Sequence, residues 1–141
     1  VMKIESLEEQ RKIYENSPFN NHLGIKLEKL EEDSVIYILE INPTHLNVNQ
    51  GVHGGVYFSI LDSVMGATIR SVVKQPIVTI NMSINYFAPA SNEDVLKASA
   101  KVLQRGRSIV TAEGSIEDAD GRLLAKSIGT FKMIRVKKKD E

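Results

Sequence analysis

Apolar residues recur at helical spacing near the start of the chain, crowd together in the middle, and alternate with polar ones through much of the second half. From about residue 4 to residue 16, Ile4, Leu7, Arg11 and Tyr14 share a stripe while most other positions are charged, which predicts a surface helix with a narrow apolar face. Pro18 stops that pattern. The following PFNNHLGI predicts a short turn that sends Phe19, Leu23 and Ile25 toward the core. Ile25, Leu27 and Leu30, the acidic turn Glu31-Glu32-Asp33 and the β-branched run SVIYILEIN then predict a hairpin. Pro43 ends its second strand and opens the loop THLNVNQGVH.

The middle stretch, Asn47 to Val73, organises the rest. After an Asn- and Gly-rich loop, Val56, Tyr57, Phe58, Ile60, Leu61, Val64, Met65, Ala67, Ile69, Val72 and Val73 leave nearly no polar side, and a helix that is apolar all round is a buried one. At about eighteen or nineteen residues it spans ~27 Å, so other elements must wrap it. Asp62 breaks the pattern. A buried carboxylate without partners costs several kcal/mol, so it must be compensated or used.

Residues 77–87 alternate, with Val78, Ile80, Met82, Ile84 and Tyr86 on one side and Thr79, Asn81, Ser83 and Asn85 on the other. Three further strand-like runs, residues 95–103, 108–116 and 122–134, are joined by the hairpin-like turns Arg105-Gly106-Arg107 and Asp118-Ala119-Asp120-Gly121. The second turn lacks the continuing acidic ligands of a calcium loop. The predicted class is α+β: an antiparallel sheet of about six strands wrapped around a long central helix, with an extra N-terminal helix. A single sheet face on a single helix makes a thin core, which predicts a homo-oligomer.

Composition narrows the reading. The 141 residues suit one domain, 1–141, with its core over about 25–134. Lys plus Arg and Asp plus Glu both number 18, so no global field draws nucleic acid or a membrane surface. The basic run Arg135 to Lys139 reads as a solvated tail. Cysteine is absent, which excludes disulfides, thiolate catalysis and Cys-based zinc sites and fits a reducing, cytoplasmic setting. No leader pattern is evident, and Asp62 and Arg70 make the central helix a poor membrane span. No metal or cofactor is expected.

The segment Asn47, Gly51, His53, Gly54, Gly55 followed by Asp62 on the helix resembles the hotdog-fold acyl-CoA thioesterases of the PaaI-like group. VTINMSINYFAPA, VLQRGRS and GRLLAKSIGTFKMI extend the resemblance over roughly residues 35–134. It implies that Asp62 acts as nucleophile or general base toward an acyl-CoA thioester, and that the N–H of Gly54, with Gly55 beside it, polarises the carbonyl. It also implies that Asn47 places the water or acyl group with His53 next to it, and that Thr79 hydrogen-bonds to the water or the carboxylate. In such proteins the site forms at a dimer interface, so Asp62 and Thr79 would come from one subunit and Asn47, His53 and Gly54 from its partner. Arg105, Arg107 and Ser108 match the hairpin that approaches the phosphates of CoA.

The chemistry of these residue types agrees. Thioester hydrolysis builds negative charge on the carbonyl oxygen, and a helix N-terminus offers free N–H groups to it. A Ser-His-Asp triad needs a nucleophile in a strained turn, and Ser59 and Ser63 lie within the helix instead. Tyr57, Phe58, Leu61, Met65 and Tyr86, with Phe87, are the expected acyl-pocket lining. The acyl class, aromatic, short or medium chain, stays open, as does dimer against tetramer. The competing reading is a non-catalytic acyl-CoA-binding or sensing hotdog module.

Overall fold

The computed structural model describes residues 4–134; the basic run 135–139 lies outside the described residues. The N-terminal helix α1 spans Leu7–Glu15, starting later than the stripe suggests because Ser6 caps it. The Ser6 hydroxyl accepts the Glu9 N–H at 3.1 Å while the Glu9 carboxylate reaches back to Ser6, a capping box. Ile4 is consequently left 72% exposed, and the residue α1 buries completely is Gln10.

The predicted turn at Pro18 is a second helix, α2, Pro18–Leu23. Proline begins it rather than only ending α1, since at the first helical position its missing N–H costs nothing. Ser17 caps α2, and Gly24 at φ 86° stops it in the left-handed region that glycine tolerates. Ile25 reaches the core, whereas Phe19 points outward and Asn20 takes the inward position.

Strands β1 (Lys26–Glu31) and β2 (Ser34–Glu40) form the expected hairpin, and a 3₁₀ turn at Pro43–His45 leads toward the central helix. Buried His45 anchors this turn, its Nδ1 accepting the Asn42 N–H at 3.0 Å and its Nε2 lying 2.6 Å from the Leu23 carbonyl. The central helix α3 covers Gly54–Val73 and is followed by β3 (Ile77–Tyr86), β4 (Val95–Arg105), β5 (Ile109–Glu117) and β6 (Leu123–Met133). All six strands join one antiparallel sheet in the order β1-β2-β4-β5-β6-β3. The Asp118 carboxylate accepts the Asp120 and Arg122 N–H groups at 3.0 and 2.9 Å, closing a β5–β6 hairpin in the way an Asx turn does.

The sheet curls over α3. Ile60, Leu61 and Val64 pack with Tyr37, Leu39, Leu96, Ala98, Ile116 and Leu124, while Met65, Ile69 and Val73 meet Val110, Ala112, Phe131 and Met133. By length and composition α3 resembles a membrane span, but most of it is buried inside the protein. Close approach is made possible at Gly114 on β5. A Cβ there would lie 3.0 Å from Met65 Cγ and 3.1 Å from Leu61 Cδ2. Gly114→Ala is therefore expected to lower stability by about 1–3 kcal/mol through overpacking, measurable as a shift of the urea unfolding midpoint.

Two expectations about faces need correction. The helix is not covered on every side: Gly55, Phe58, Ser59, Asp62, Ser63, Gly66 and Arg70 follow helical spacing along a stripe that the sheet leaves uncovered. Strand β3 does not alternate throughout either, because its register with β6 shifts between Thr79 and Asn81. Ile80 is the extra residue of a bulge, so Thr79 shares the helix-facing side with Met82 and Ile84, while Val78 and Ile80 are 44% and 54% exposed.

Candidate active site

Asp62 lies on the uncovered stripe near the middle of α3, half-buried, and its Oδ1 accepts the Thr79 hydroxyl at 2.7 Å. The contact exists because of the bulge, which turns Thr79 toward the helix one residue before the phase of β3 changes. Among the described residues, Oδ2 has no hydrogen-bond partner. A cavity of about 280 Å³ opens beside the carboxylate, walled by Thr79, Ile77 and Phe131 from the sheet and by Tyr14, Asn20 and Tyr37 from the N-terminal half of the chain. Its floor on α3 is Asp62, Ser63, Gly66, Ala67 and Arg70.

The start of α3 holds a second set of groups. The Asn47 side-chain oxygen accepts the N–H groups of Asn49 and Gly51 at 2.8 and 3.1 Å, so the amide closes its own turn and keeps its NH₂ available. Gln50, at φ 66°, takes the left-handed position in this turn. His53 is the N-cap of α3, its Nδ1 accepting the Gly55 N–H at 2.8 Å. A neutral ring then carries its proton on Nε2. The same bond corrects Gly55, whose N–H is already occupied. The Gly54 N–H has no acceptor among the described residues. Tyr86 donates its hydroxyl to the Gly54 carbonyl at 3.0 Å and packs edge-on against Tyr57, 5.6 Å between ring centroids.

Asn47, Gly51, Gly54, Tyr57, Tyr86, Phe87, Ala88 and Pro89 line a separate cleft of about 480 Å³. Gly54 and Asp62 are eight residues apart, ~12 Å along the axis. The structure thus brings Asp62 to Thr79 and Asn47 to Gly54, but it does not bring the two pairs together within one chain.

The expected acyl lining is corrected in three places. Leu61 and Met65 are fully enclosed in the core, and Phe58, 41% exposed, sits on the uncovered stripe outside both cavities. Arg105, Arg107 and Ser108 occupy the exposed β4–β5 turn, where the Gly106 N–H reaches the Ile109 carbonyl at 2.8 Å. This turn lies toward the Thr79 end of β3 and the C-terminal end of β6, since the Ser108 carbonyl accepts the Met133 N–H.

Sequence reasoning missed the N-terminal wall. Arg70 lies on the same face as Asp62 and Gly66, a spacing of four that was legible, but its partner Glu5 is distant in sequence. Arg70 Nε donates to Glu5 Oε1 at 2.6 Å and Nη2 donates to Oε2, forming a bidentate pair.

A profile of the thioesterase superfamily matches residues 49–125, more than half of the chain. A protein of Saccharolobus solfataricus, whose esterase name is provisional, is 28% identical over 136 residues, covering 96% of this chain and 86% of that one. The acyl-coenzyme A thioesterase PaaI of Escherichia coli is 26% identical over 95 residues, 67% of each chain. The solved structure of E. coli PaaI, from the phenylacetic acid degradation operon, superposes with a TM-score of 0.85 at 24% identity, covering 92% of this chain and 96% of that one. A hypothetical thioesterase of Streptococcus pneumoniae solved with coenzyme A superposes with a TM-score of 0.76 at 24% identity, covering 81% and 91%. The chain belongs to the thioesterase superfamily of thioester hydrolases, and its six-stranded sheet around α3 is the hotdog fold.

Proposed function

We propose that the protein hydrolyses acyl-CoA thioesters at a site composed from two copies of the chain. The observation that carries this reading is the Thr79–Asp62 hydrogen bond beside a cavity on the uncovered stripe of α3. The acyl-CoA part rests on PaaI of E. coli and on the coenzyme A bound to the pneumococcal protein.

The separation of the two half-sites supports a dimer. Strand β3 is an edge of the sheet, with Val78, Ile80, Tyr86 and Phe87 exposed along or next to it, and edges left open invite pairing. The open part of the α3 stripe, around Phe58 and Ser59, continues that surface. Two copies meeting here would set Asp62 and Thr79 of one against Asn47, His53 and Gly54 of the other. A pairing of this isologous kind yields two equivalent sites.

In the proposed reaction Thr79 fixes Oδ1, and Oδ2 takes a proton from water as its oxygen attacks the thioester carbon. Charge developing on the carbonyl oxygen meets the Gly54 N–H at the positive end of α3. The C–S bond then breaks, and the departing CoA thiolate accepts the proton from Asp62. Direct attack by Oδ2, followed by hydrolysis of the acyl-aspartyl anhydride, uses the same arrangement. Asn47 offers its NH₂ to the acyl group or water, while His53 fixes the start of α3 and presents Nε2–H beside it. Arg105, Arg107 and Ser108 supply cationic and hydroxyl groups for the CoA phosphates. Tyr57 lines the cleft next to Gly54, and Phe58 faces the second copy.

The test is thiol release from aromatic and straight-chain acyl-CoA thioesters. Binding of these thioesters without any release overturns the enzyme reading in favour of a sensing module. Thr79→Val is expected to lower kcat roughly tenfold, the order of a hydrogen bond to a charged group, with an unchanged melting temperature. Steady-state kinetics beside a thermal melt checks it.

A further inference from the structure

His45 is a buried titratable group that the hydrolytic step does not use: it is 2% exposed and closes the 3₁₀ turn that ends just before Asn47. A buried imidazole needs both nitrogens paired, and here the two partners demand one tautomer. Nδ1 faces the Asn42 N–H at 3.0 Å, a group that can only donate, and Nε2 faces the Leu23 carbonyl at 2.6 Å, a group that can only accept. The ring is therefore neutral and carries its proton on Nε2. Leu23 ends α2, where a helix leaves its carbonyls without intrahelical partners, so the ring supplies a donor that the helix itself lacks.

The loop that starts at His45 carries the second half-site. The His53 N–H reaches the His45 carbonyl at 2.9 Å, Leu46 and Val52 form a bridge inside that pair, and the Asn47 N–H reaches the Gly51 carbonyl at 2.7 Å, so the loop stands on a short antiparallel stem. Beyond the stem it leaves the body of the protein, with Val48 95% exposed. Among the described residues its remaining hydrogen bonds run within the loop and the 3₁₀ turn, apart from the Val52 N–H to the Ala90 carbonyl at 3.2 Å. His53 is held at its N–H by the His45 carbonyl and at its own carbonyl by the Val56 N–H, 2.9 Å each, which fixes the peptide plane that carries the Gly54 N–H. The His45 ring joins this stem to α2. That helix is itself tied to α3, because the Asn20 side-chain oxygen accepts the Ser63 hydroxyl at 3.0 Å.

We infer that His45 is a positioning residue of the thioesterase site: its Nε2–Leu23 hydrogen bond roots the stem on α2 and so holds the Gly54 N–H and the Asn47 amide where the thioester is met. His45 touches no reacting atom. Its effect passes through the stem, and precision is what the stem must deliver, because a misplacement of about 1 Å caused far from the chemistry can cost about a hundredfold in rate. An apolar side chain of similar size would fill the space but leave the Asn42 N–H and the Leu23 carbonyl enclosed and unpaired, with the Val52 bond as the stem's remaining tie. The inference rests on the thioesterase reading for what the loop does.

The experiment separates the two ring contacts. In His45→Asn the side-chain oxygen takes the place of Nδ1 and nothing reaches Leu23, whereas in His45→Gln the amide NH₂ takes the place of Nε2. Thiol-release kinetics is run beside hydrogen–deuterium exchange of the backbone N–H groups of Asn47 and His53, which report the stem without any substrate. His45→Asn is expected to lose about tenfold or more in kcat with KM within about twofold, the pattern of an interaction made in the transition state. The two N–H groups should exchange about tenfold faster in that variant. His45→Gln should stay within about threefold of the wild type in both quantities. Equal losses in the two variants overturn the inference, and so do wild-type exchange and kcat in His45→Asn. If the asparagine variant does not fold, the glutamine variant decides alone: kcat within about threefold of the wild type supports the inference, and a loss of about tenfold overturns it. Faster exchange in His45→Asn and not in His45→Gln, without hydrolysis by the wild type, supports the tie and overturns only the thioesterase reading.

Discussion

Asp62→Asn should lower kcat at least a hundredfold while leaving the circular dichroism spectrum and the melting temperature close to those of the wild type. The substitution keeps the size of the side chain and an oxygen able to accept the Thr79 hydroxyl at Oδ1, so the fold has no reason to respond. What it removes is the proposed proton acceptor at Oδ2, and general-base catalysis typically contributes about 10²–10⁴-fold. Position sharpens the prediction. Asp62 lies on the stripe of α3 that the sheet does not cover, so it was not a core residue whose loss of charge would stabilise the protein. Thiol-release kinetics on a purified acyl-CoA measures the effect, and a loss under tenfold would mean that some other group accepts the proton.

Gly54→Pro should cost roughly 10²–10³-fold in kcat, the range for losing one oxyanion donor. Proline at the first helical position removes the N–H that has no acceptor within the chain and leaves every intrahelical hydrogen bond of α3 in place. His53, at φ −62° and ψ 137°, already has the extended conformation that precedes proline. Gly54→Ala is the control, because it keeps the N–H and adds only a Cβ that would approach the Tyr86 hydroxyl at 3.1 Å. A modest loss in the alanine variant beside a large one in the proline variant assigns the effect to the donor.

The same two variants test how the site is assembled. If Asp62 and Gly54 act from different subunits, an equal mixture of Asp62→Asn and Gly54→Pro protein, unfolded and refolded together, forms about half mixed dimers with one intact site each. Activity should then recover to about a quarter of the wild-type value. No recovery on mixing would place both groups in one subunit, against the ~12 Å that separates them along α3.

Much of the fold was legible because its signals are local. The central helix shows itself in an apolar run that begins right after the N-cap His53 and ends before Pro76, and the three last strands show themselves between turns that carry glycine. The N-terminal segment was less legible, since Pro18 reads as a stop until Ser17 is recognised as the cap of a new helix. The inward placement of Asn20 had no local signal at all, because a polar side chain is enclosed where a distant partner receives it. Ser63 is such a partner, forty-three residues from Asn20.

Sequence by itself determined the family, the central helix and the presence of an acid on it, because a glycine-rich helix start and a charged residue in an apolar run are properties of a short stretch of chain. It also determined that Thr79 belongs to the strand that follows. That Thr79 faces Asp62 was decided by the tertiary structure: strict alternation places it with Asn81, and only the bulge at Ile80, fixed by pairing with β6, reverses the side. Tertiary structure likewise decided which stripe of α3 stays uncovered, since the helix pattern is apolar on nearly every side and the sheet selects the faces it buries. The division of the candidate residues between two clefts follows from a rigid helix that holds Gly54 and Asp62 apart.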